Sequence, residues 1–119
     1  MKLVALTLLL AALAGCASSS GTRSTSVDKL QDARQIDLLF AELETEETSL
    51  AALIASFSSE TVDCARACEL RASIANLARR ICAVTEGLAD RDRQIQCVDA
   101  RRRSEIAKEN VKRVCECAK

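Results

Sequence analysis

The chain has 119 residues, with 17 basic and 17 acidic side chains, no His, no Pro, no Trp, no Tyr and seven cysteines. The lack of His removes the imidazole base of most hydrolytic centres and the CxxCH form of haem attachment. No Pro and three glycines favour long helices over a turn-rich sheet, and a chain this short has room for one small domain.

The first segment is Met1-Lys2 followed by an apolar run from Leu3 to Leu13, broken only by Thr7. A membrane span needs about 20 apolar residues, so this run has the length of a signal-peptide core instead. It ends in Leu13-Ala14-Gly15-Cys16. That tetrapeptide resembles the lipobox of bacterial lipoproteins at every position. The resemblance implies a diacylglyceryl thioether on Cys16, cleavage before it (signal peptide 1–15) and acylation of the new amine, a palmitate-type modification. Two or more acyl chains give stable anchoring. Residues 17–26 are small, polar and aperiodic, the composition of a flexible tether. Ala17, not Asp, follows the lipidated residue, which by the same resemblance implies the outer membrane, with the folded part facing the periplasm.

A first helix is predicted over about 27–57, with Ser26 as N-cap. Ile36, Phe40, Leu43, Leu50, Ile54 and Phe57 form one seam of alternating four- and three-residue steps, interrupted only by Glu47. A polar break at 56–61 precedes a second helix, starting near 61–63 and ending near Glu86, with the seam Leu70, Ile74, Leu77, Ile81, Val84 and Leu88. Gly87 supplies its stop. A third helix is predicted from about Asp90 to Cys115, with the thinner stripe Cys97, Ala100, Ser104, Ala107, Val111 and Val114, and with Arg101–Glu105 and Glu109–Arg113 as i,i+4 pairs. Short connections make the three neighbours antiparallel, so the fold expected over 27–119 is an all-α three-helix bundle.

Charge is uneven along this bundle. Residues 28–63 hold nine acids against two bases, and residues 64–119 hold thirteen bases against eight acids. An acidic first helix lying on basic partners satisfies both, and no nucleic-acid partner is needed. The run Arg101-Arg102-Arg103 reads the same way, as a solvated helix face, with anionic envelope surfaces as the functional alternative.

With Cys16 lipidated, six cysteines remain, an even set in an exported domain, which predicts three disulfides. Cys64 and Cys68 are one helical turn apart, and Cys82 lies five turns beyond Cys64 on the same face. In an antiparallel hairpin turning near residues 88–89, Cys82 meets Cys97, and the Cys64/Cys68 end meets Cys115/Cys117. The preferred pairing is Cys82–Cys97 with the nested Cys68–Cys115 and Cys64–Cys117. The alternative, Cys64–Cys115 with Cys68–Cys117, requires the tail to fold back. This CxxxC … C … C … CxC pattern resembles uncharacterised small cysteine-rich helical lipoproteins predicted in myxobacteria and their relatives, a resemblance that implies architecture and location only.

Catalytic residues are not expected: nucleophile elbows and Gly-rich phosphate loops are missing, and Glu42, Glu44, Glu46 and Glu47 read as a solvated face. No cofactor is expected. The function expected is that of a cell-envelope lipoprotein, a structural or protein-interaction module with an apolar groove along Phe40, Leu50 and Phe57. Its partners would be the membrane, through Cys16, and an envelope protein or peptidoglycan; Lys119 is similar to the lysine by which Braun's lipoprotein is joined to peptidoglycan. The alternative is a cysteine-based copper or zinc binder, since thiolates in CxxxC and CxC spacing hold Cu(I) or Zn(II) and cysteine-lined bundles occur among copper-storage proteins.

Overall fold

The computed structural model describes residues 26–56 and 61–118. It is a three-helix bundle in the order α1 (Ser26–Ala55), α2 (Cys64–Glu86) and α3 (Arg91–Lys112). The signal segment, Cys16, most of the tether and Phe57 lie outside the described residues. Among those described, no helix is long and apolar enough to cross a membrane.

Helix boundaries follow local chemistry. Asp63 caps α2, its carboxylate accepting from the Arg66 N–H at 3.0 Å, and Asp90 caps α3 by accepting from the Asp92 N–H at 3.0 Å. Lys112 in the last turn of α3 and Asp92 in its first both oppose the helix dipole. Ser26, expected just outside α1, is its first helical residue. Gly87 does end α2, but at φ −77°, in the right-handed region, so the left-handed freedom of glycine is not used. A Cβ built there meets nothing within 4 Å. Gly87→Ala is therefore expected to raise stability by about 0.4–1 kcal/mol through the unfolded chain, measured by urea denaturation under oxidising conditions.

The core is aliphatic. Ile36, Leu43, Leu70, Ile74, Leu77, Ile81 and Val111 are its largest fully buried apolar side chains. The α2 seam is the one its spacing predicts, with Val84 and Leu88 at its half-buried end. On α1 the buried stripe is broader than a two-position seam: Leu39 is buried and Phe40 only half-buried. A helix that packs on α2 and also touches α3 must cover a wider arc than one facing a single partner. The third helix contributes short side chains, Ala100, Ala107 and Val111. These let α3 approach α2 closely, and the Cα atoms of Cys82 and Cys97 are 4.6 Å apart. Thr85, the buried polar residue of the core, donates its hydroxyl to the Cys82 carbonyl at 3.0 Å.

Charge is also arranged across the helices. Arg80 of α2 reaches Glu42 of α1 at 4.0 Å, and Arg103 of α3 binds Glu47 of α1. The acidic helix thus lies on basic neighbours. Glu105 pairs with Lys108 at 3.2 Å, and Arg101 turns instead to Glu86 at 4.0 Å, so the expected Arg101–Glu105 pair is replaced.

Candidate functional site

Three disulfides tie α2 to α3. Cys82–Cys97 closes the hairpin near its turn. At the open end the bonds are Cys64–Cys115 and Cys68–Cys117, with Cα separations of 5.4 and 5.6 Å. This corrects the nested pairing Cys68–Cys115 and Cys64–Cys117. Nesting assumes that the chain keeps descending along α3 as far as residue 117. It does not: α3 ends at Lys112, and the last helical-type bonds run from the Val114 and Cys115 N–H groups to the Val111 carbonyl at 3.0 and 2.8 Å. The chain then reverses, and residues 115–117 run beside 64–68 in the same direction. Two extended residues span about 6.6 Å and four helical residues rise about 6 Å, so CxC on the tail matches CxxxC on the helix. The reversal seats Cys115 in the core at 6% exposure, next to Leu70 and Val111 in one apolar cluster.

All six sulfurs are bonded. Cysteine acts as a metal ligand or redox nucleophile through its thiolate, and a disulfide supplies none. Among the described residues no group of three or more His, Cys, Asp or Glu side chains is placed to hold a metal ion.

The second built feature is an ion pair between α1 and α3. Arg103 Nε donates to both oxygens of Glu47, at 2.9 and 3.1 Å, and a terminal nitrogen donates to Oε2 as well. The two side chains are 21% and 28% exposed. The guanidinium carbon also stands 5.6 Å from the centre of the Phe40 ring, a cation–π arrangement. The hydrogen bond to Glu47 raises the Arg103 pKa above its ordinary value, against a desolvation that lowers it. A raised arginine pKa contributes stability that is complete below the ordinary value and lost only in strong alkali, so Arg103 keeps its charge at all physiological pH. Glu47 is the residue that breaks the α1 seam, and Arg103 is why that break is tolerated. Arg103 is therefore not part of a solvated run: Arg101 and Arg102 are exposed, and Arg103 turns inward. Glu47→Ala is expected to lower stability by about 1–3 kcal/mol, because it leaves the mostly buried Arg103 with only its longer pair to Asp99, at 3.9 Å, and the double change Glu47→Leu/Arg103→Met should recover most of the loss in the same denaturation assay.

The surface differs from expectation. Leu50 is buried and Phe40 lies beneath Arg103, so the proposed apolar groove along Phe40, Leu50 and Phe57 does not form from the two described residues. Leu50 instead lines a small cleft between α1 and α3 with Ile54 and Ile106, of about 220 Å³. Two larger, open clefts lie between α2 and α3. Among the described residues, no buried side-chain nitrogen or oxygen lacks a hydrogen-bond partner. Comparison of the chain with protein-family models, with curated proteins and with solved structures finds no match.

Proposed function

We propose that the chain is a lipid-anchored protein of the bacterial cell envelope, held on the outer membrane through Cys16 and facing the periplasm, where it serves as a non-catalytic structural or interaction module. Support comes first from cysteine parity. Three disulfides take up Cys64, Cys68, Cys82, Cys97, Cys115 and Cys117, and the seventh cysteine is the one that ends the lipobox. Disulfides of this kind persist in exported proteins, and small domains with thin cores depend on them. A non-catalytic role is supported by a chain without His, whose buried polar groups, among the described residues, are all satisfied within the fold.

The test is the intact mass of the protein taken from its native membrane, with and without reduction. A chain beginning at acylated Cys16, six hydrogens lighter than the fully reduced chain and alkylated only after reduction, is the expected result. An unmodified Cys16, or six thiols that alkylate without reduction, would refute the proposal; in the second case copper or zinc binding becomes the better account.

A further inference from the structure

The side of the α2–α3 hairpin turned away from α1 carries an open groove. It consists of two adjoining clefts of about 520 and 320 Å³ that share Ala75, Arg79, Ser104 and Glu105, and every lining residue comes from α2 or α3. Its floor is shallow because Ala72, Ala75 and Ser104 are short. Its walls are basic: Arg71 and Arg79 on one side, Arg101 and Lys108 on the other. Glu86 and Glu105 also line it, but Arg101 and Lys108 already neutralise them, at 4.0 and 3.2 Å. Among the described residues, Arg71 and Arg79 have no ion-pair partner, so the groove keeps a net positive charge.

The outer face of α1 has the complementary chemistry. Asp37 and Glu44 lie one heptad apart on one edge of it; among the described residues neither is in an ion pair, and Glu44 adds only a weak long-range attraction on Arg103. Beside them Leu38, Ala41, Thr45, Thr48 and Ala52 are exposed and carry no formal charge. The hydroxyls of Thr45 and Thr48 donate to the carbonyls of Ala41 and Glu44 at 2.9 and 2.8 Å, so covering this face leaves neither donor unsatisfied. Asp37 and Glu44 are separated by about 10 Å along the helix axis, and Arg71 and Arg79 by about 12 Å, a match that lets both carboxylates meet both guanidiniums in one register.

We propose that the α2–α3 groove receives the outer face of α1 from a second copy of this chain, small side chains meeting in the floor and Asp37 and Glu44 meeting Arg71 and Arg79 at the wall. Because groove and α1 lie on opposite sides of the bundle, the contact is head-to-tail. Each copy offers one free face at each end, and the product is an open row of copies and not a closed pair. This inference goes beyond the envelope role and does not depend on the lipid at Cys16.

The test uses the oxidised full chain in non-ionic detergent, with oligomers counted by native mass spectrometry and sedimentation velocity. The unaltered protein should form a series of oligomers that lengthens with concentration and shortens with salt. Arg71→Glu/Arg79→Glu in the groove, and separately Asp37→Arg/Glu44→Arg on the face, should each weaken association by about a hundredfold or more, through like charges brought together. Mixing the two charge-reversed variants should restore the series. Circular dichroism checks that each variant is folded. The control Ile106→Glu, at a half-exposed residue of the α1–α3 cleft that lines no part of the groove, should associate normally. A protein that stays monomeric, charge reversals without effect, a mixture that does not recover, or association lost in Ile106→Glu would each overturn the proposal.

Discussion

Removing both open-end disulfides, by replacing Cys64, Cys68, Cys115 and Cys117 with Ala, is expected to leave the chain largely unfolded at room temperature, whereas removing either one alone should cost only about 2 kcal/mol. The two bonds span 51 and 49 residues and close nearly the same loop. While one remains, the other constrains only the few residues between neighbouring bridges, and the chain-entropy cost of that small loop is about 2 kcal/mol; the last of them closes the ring of about forty residues that Cys82–Cys97 leaves open, for about 4 kcal/mol more. A total near 6 kcal/mol is comparable to the entire stability of an ordinary small domain, about 5–15 kcal/mol. Far-UV circular dichroism and urea denaturation of the two double variants and the quadruple variant check this. Equal, additive losses from the two pairs would show that the bridges do not share a loop. A quadruple variant with the parental midpoint would show that the aliphatic core needs no staple.

The second large effect is expected at Ile74. It is fully buried in the middle of α2, within the cluster that joins all three helices. Ile74→Ala should lower stability by about 2–5 kcal/mol, combining lost transfer energy with a cavity that the stapled hairpin cannot easily collapse, and Ile74→Val by about 0.5–1.5 kcal/mol. Ile106→Ala, at a residue 50% exposed, is the comparison and should stay within about 0.5 kcal/mol. Denaturation under oxidising conditions separates the three. A loss at Ile106 equal to that at Ile74 would mean that the packing of α3 is other than described.

Much of the bundle was legible because its period is strong. Leu70, Ile74, Leu77 and Ile81 recur at helical spacing, and Asp63 and Asp90 stand where a carboxylate can cap. The Cys82–Cys97 bond follows from one turn and two residues near it. The open end was harder. Nothing local announces the reversal after Lys112: no Gly or Pro stands there, and Val111, Val114 and Cys115 continue the apolar stripe as though the helix went on. The register of the last two disulfides depends on that reversal, so spacing alone could not decide it. Arg103 was misread for a related reason. A run of three arginines looks like a solvated face, and only Glu47, a charge at a core position fifty-six residues earlier, signals that a counter-charge must come inward. The wider stripe on α1, with Leu39 inside it, reflects two partners, a tertiary fact that a single-helix periodicity does not carry.

No disulfide reaches α1. The three bonds join α2 to α3, and α1 is held by aliphatic contact and by the pairs Glu42–Arg80 and Glu47–Arg103. Load applied at the N-terminal side of the domain therefore falls first on the one helix, among the described residues, that can be peeled away without breaking a covalent bond. The 30 residues of α1 measure about 45 Å as a helix and about 100 Å when drawn out, so a pulled chain would lengthen by about 55 Å while the cross-linked hairpin stays intact. The bundle thus has the mechanics of an extensible strap ending in a rigid clasp.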